Sequence, residues 1–144
     1  MGAWGITTFE NDGAMDWLTN FLDDPSEDGI WNAFPSEPIV IEPGFLGRLM
    51  GKKPKSLPEE VDGEEVLAAA EIVATVLGRP AKTNPDELKT LPTIQLRQST
   101  VAKALAAIDA MMKDSNLKEC WEETDEFEAW KAGVADLQQR LSTQ

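Results

Sequence analysis

Apolar residues that recur three and four positions apart constrain this chain most, because that spacing lays one apolar stripe along an α-helix and does not suit a strand. The first such stretch runs from about 11 to 24, with Ala14, Trp17, Leu18, Phe21 and Leu22 on the stripe. Asn11 or Asp12 can accept the free N–H groups of its first turn, and Pro25 lies just past its end. A second stretch runs from Gly63 to Leu77 with Val66, Ala69, Val73, Val76 and Leu77 inward. Asp62 caps it, Glu64 and Glu65 meet the positive end of its dipole, and Gly78 and Pro80 stop it. A short helix is expected after Asn84, with Pro85 at its first position and Glu87 closing a capping box. A long helix follows over about Ile94 to Lys113, with Val101, Ala104, Leu105, Ile108, Met111 and Met112 inward. Ser115 caps a short turn through Leu117 and Trp121, and Thr124 caps a last helix carrying Phe127, Trp130, Val134, Leu137 and Leu141.

These stripes predict an all-α fold, an antiparallel bundle of about four main helices with short ones between them. The 144 residues make one domain, long enough to bury a core without disulfides. A stretch rich in Pro and Gly, about 25–58, interrupts the pattern. Within it Ile30 to Phe34 suits one helical turn, residues 38–42 suit a short extended piece, and Arg48 to Lys55 is a basic excursion.

Composition excludes several chemistries. The chain has no His and no Tyr, so a Ser-His-Asp or Cys-His arrangement cannot form, and the commonest general base and zinc ligand are missing. The single Cys120 sits among carboxylates, a setting that leaves a thiol a poor nucleophile. No signal peptide, membrane span or myristoylation site is legible, which points to a cytoplasmic protein that does not enter a membrane. No catalytic residue, metal site or cofactor is expected from these patterns.

Net charge is −13, from 26 acids and 13 bases. Such a surface repels phosphate backbones, so nucleic acid is not an expected partner, and it attracts a basic protein. The charge is uneven: residues 1–47 hold nine acids and no base, and Glu119 to Glu128 hold six acids and no base. In that second run Glu119, Glu122, Glu123 and Glu126, with Asp125 and Glu128, surround Trp121, and Trp130 follows close behind. Acids steer a basic partner and aromatics anchor interfaces, so this run is one candidate interaction patch; helix-cap acids on a solvated face, with both tryptophans in the core, are the simpler explanation. A second candidate site lies at the N-terminus. Gly2 and Trp4 suggest a plugged indole beside a free amine, and Glu10, Asp12 and Asp16 bring carboxylates near it. Capping and dipole compensation are the simpler explanation there too. The run Asp24 to Ile30 imitates the first half of a calcium loop, but its twelfth position is Pro35 where a bidentate glutamate is needed.

Gly2-Ala3-Trp4-Gly5, Phe9-Glu10-Asn11-Asp12 and Asp16-Trp17 resemble the start of the bacterial family catalogued as domain of unknown function 4259. Leu67 to Ala74, the Asp114-Ser115-Asn116-Leu117 turn leading to Trp121-Glu122-Glu123, and the helix with Trp130 are similar as well. The resemblance covers most of the chain outside residues 30–58 and implies a small cytoplasmic helical protein. It carries over no catalytic residue. The functional expectation is therefore a non-enzymatic interaction module for a basic partner, an immunity-type inhibitor being one version. A carboxylate-based metal-binding protein or hydrolase, and a DNA mimic, are the alternatives.

Overall fold

A computed structural model describes residues 5–34, 62–113 and 115–142. Six α-helices form there: α1 (Asp12–Asp23), α2 (Glu27–Ala33), α3 (Gly63–Val76), α4 (Gln98–Lys113), α5 (Asn116–Glu122) and α6 (Phe127–Ser142), with a 3-10 turn at Asp86–Thr90. No strand occurs among the described residues, so the fold is all-α. The extended piece expected at 38–42 and the basic excursion at 48–55 lie outside them.

The architecture is a hub. Helix α3 packs against all five other helices. Val66 to Ala74, nine consecutive residues, are buried, which no one-sided stripe allows. The expectation of an amphipathic α3 is thus corrected: from Val66 to Ala74 the helix is buried all round because neighbours cover every face. Its alanines make this possible, since Ala68, Ala69, Ala70 and Ala74 add little radius and let surrounding helices approach. The stripe's supposed last member, Leu77, is 38% exposed. The helix stops there by a Schellman arrangement. The Arg79 N–H donates to the Ala74 carbonyl at 2.8 Å and the Gly78 N–H to Thr75 at 3.0 Å, with Gly78 at φ 84°.

The other helices lay narrower faces on this hub. Helix α1 buries Ala14, Leu18 and Phe21, while Trp17 stacks on Phe21 from the half-exposed side, ring centroids 5.0 Å apart. Asn11 is its cap, accepting from the Ala14 N–H at 2.7 Å. Helix α4 buries Thr100, Ala104, Ala107, Ile108 and Met111; Val101, Leu105 and Met112 are half-buried. Helix α6 buries Trp130, Val134, Leu137 and Leu141, as its spacing predicts. Ser115 caps α5 by accepting from the Lys118 N–H at 3.1 Å.

Several elements differ from expectation. Helix α2 begins at Glu27 rather than Ile30, because Ser26 accepts from the Gly29 N–H and starts the helix early. That helix takes up the second half of the run resembling a calcium loop. Helix α4 begins at Gln98 rather than Ile94. Its first turn is served by Glu27 of α2, whose carboxylate accepts from the Arg97 N–H at 2.6 Å, Arg97 Nε at 2.9 Å and the Thr100 hydroxyl at 2.8 Å. The helix after Pro85 is a 3-10 turn with no side-chain cap. Asn84 instead donates to the Thr75 hydroxyl at 3.0 Å, tying the connection to α3.

Candidate functional site

Two features stand out on this frame: a cleft over a buried ion pair, and an acidic corner. The cleft lies between residues 6–8, α3, the connection after Gly78 and α6, and encloses about 120 Å³. Glu71 and Arg140 line it together with Asp136. Glu71 is the single acid inside the α3 hub, its side chain 4% exposed. Such burial is tolerable only with full pairing. Arg140 supplies it through two parallel bonds, Nη2 to Oε1 at 2.8 Å and Nη1 to Oε2 at 3.0 Å, and the Thr8 hydroxyl adds one at 3.3 Å. Arg140 also donates to Asp136 from Nε at 2.9 Å and to the Arg79 carbonyl from Nη1 at 3.1 Å. In return Arg79 donates to the Arg140 carbonyl, one of the last-turn acceptors of α6 that lack a helical partner. The Glu71 carboxylate beside it raises the already high pKa of Arg140, so the guanidinium is a fixed positive charge. Sequence reasoning missed this pair. An acid within Leu67 to Ala74 was the available signal, because an acid inside an all-apolar helix requires a cation.

The acidic corner is built by α5, the turn after it, and the start of α6. Trp121 and Trp130 are 7% and 3% exposed and stack at 6.2 Å, so both belong to the core and neither reaches a partner. The candidate patch therefore loses its aromatic anchors. Its acids remain: Glu119, Glu122, Glu123, Asp125, Glu126 and Glu128 are all exposed. Of these six acids, only Glu122 has an ion pair among the described residues, with Lys118 at 3.7 Å. The turn beneath them is fixed. The Thr124 hydroxyl donates to the Trp121 carbonyl at 2.8 Å and accepts from the Glu126 N–H at 3.2 Å. Thr124 thus organises the entry to α6 from farther back than a cap would, since the helix proper begins at Phe127.

The N-terminal start of α3 extends this negative region. Gly63 lies so close to α5 that an added Cβ would come within 2.8 Å of Leu117. Next to it Glu64 reaches across to α1, where the Gly13 N–H donates to it. Burial raises the pKa of Glu64 despite that bond, and the charges of Asp62 and Asp12 raise it further; burial and Asp62 raise that of Glu65.

The N-terminal candidate divides. Gly2 and Trp4 lie outside the described residues. Glu10 turns to the Thr7 hydroxyl and packs over Gly5, while Asp12 and Asp16 are exposed on α1. Among the described residues no group of three or more His, Cys, Asp or Glu side chains is placed to hold a metal ion. None of the described helices is long and apolar enough to cross a membrane.

No curated protein and no solved structure matches the chain. A family model described as "Domain of unknown function (DUF4259)" matches residues 2–133, most of the chain. The match spans the N-terminal segment, the α3 hub, the acidic corner and the part of α6 with Trp130, and the chain belongs to that family.

Proposed function

We propose that this protein is a non-enzymatic interaction module that presents the acidic corner of α5 and α6 to a basic partner protein. The observation that carries the reading is the placement of six exposed carboxylates, Glu119 to Glu128, on a turn held by hydrogen bonds over a stacked tryptophan pair. A fixed field of one sign steers and orients a basic surface without reordering on contact. The metal-dependent alternative has no comparable support among the described residues.

The test compares the immobilised native chain with a variant carrying Glu122→Lys, Glu123→Lys, Glu126→Lys and Glu128→Lys. A discrete basic protein should be retained by the native chain at low salt, elute at high salt, and be lost with the variant. Identical retention by both chains overturns the proposal. Release of that protein by duplex DNA would assign the corner to a DNA-mimic version of the same role.

A further inference from the structure

We draw no further inference here: the strongest candidate, the cleft between residues 6–8, the connection after Gly78 and α6, carries none, because its carboxylates Glu71 and Asp136 are already paired with Arg140, Lys82 follows the lining residue Ala81, and nothing in the structure selects an occupant.

Discussion

At the scale of single residues, the acids divide by what their surroundings do to the ionised form. Glu27 accepts from the Arg97 N–H, the Thr100 hydroxyl and the Arg97 guanidinium, and its pKa is lowered, chiefly by the backbone bond. It stabilises the fold above the ordinary glutamate range, and that contribution is lost as pH falls through its depressed folded value. Glu64 has the opposite sign. Its pKa is raised by burial and then by Asp62, so its penalty is absent in strong acid and develops as pH rises through the elevated folded value. Glu64→Gln keeps an acceptor for the Gly13 N–H and removes the charge. It should raise the melting temperature at pH 7 by about 1 °C, from a few tenths of a kcal/mol of relieved burial cost and repulsion, and the gain should vanish near pH 3.5. A melting scan at both pH values checks this. Of these positions the sequence showed Asn11, Ser115 and Asp62 as caps, because a local cap is written within four residues. Glu27 serving α4 was not legible, since its partners lie 70 residues away and beyond an element of another direction.

At the scale of elements, the all-round burial of α3 decides what the fold tolerates. Arg140→Ala leaves Glu71 as an unpaired buried charge and should cost about 3–5 kcal/mol in urea unfolding. The double variant Glu71→Leu with Arg140→Leu removes both charges and should recover most of that loss, which a urea series on the three chains tests. Overfilling is the reverse perturbation. Ala70→Leu inserts a large side chain into a fully buried site and should destabilise by about 1–3 kcal/mol or more. Existence and order of the helices were legible from apolar spacing, and α6 was read residue by residue. Helix α3 was misread as one-sided because spacing reports only the strongest stripe, and three successive alanines carry too little hydrophobic contrast to announce burial. Trp121 and Trp130 illustrate the same limit. Spacing put Trp130 on the inward stripe of the last helix and made core tryptophans the simpler reading, while the acids around both kept a surface role open until their burial decided it.

At the scale of the whole molecule, a net charge of −13 works against compactness while it serves a basic partner. The described ion pairs are few and mostly exposed, so they offset little of that repulsion. Added salt screens charges about 10 Å apart at 0.1 M, and the melting temperature should therefore rise between 20 mM and 300 mM sodium chloride. A flat or falling response would mean that specific pairs, rather than the summed field, govern stability. Candidate-site legibility follows the same division. Total charge and its clustering are additive properties and can be counted from the chain, whereas the cleft depends on Thr8, Glu71 and Arg140 meeting from three distant stretches.

That meeting makes Glu71 a latch shared by the beginning, the middle and the far tip of the described fold. A protease cut within the last turn of α6 would remove the guanidinium and, with one scission, strand the carboxylate, free Thr8 and undo the clasp on Arg79. Fraying at one tip would then propagate to the other, and amide exchange at residues 6–8 and 137–141 should quicken together although these stretches are opposite in sequence. One side chain, Arg140, thus ties both ends of the described fold to its centre.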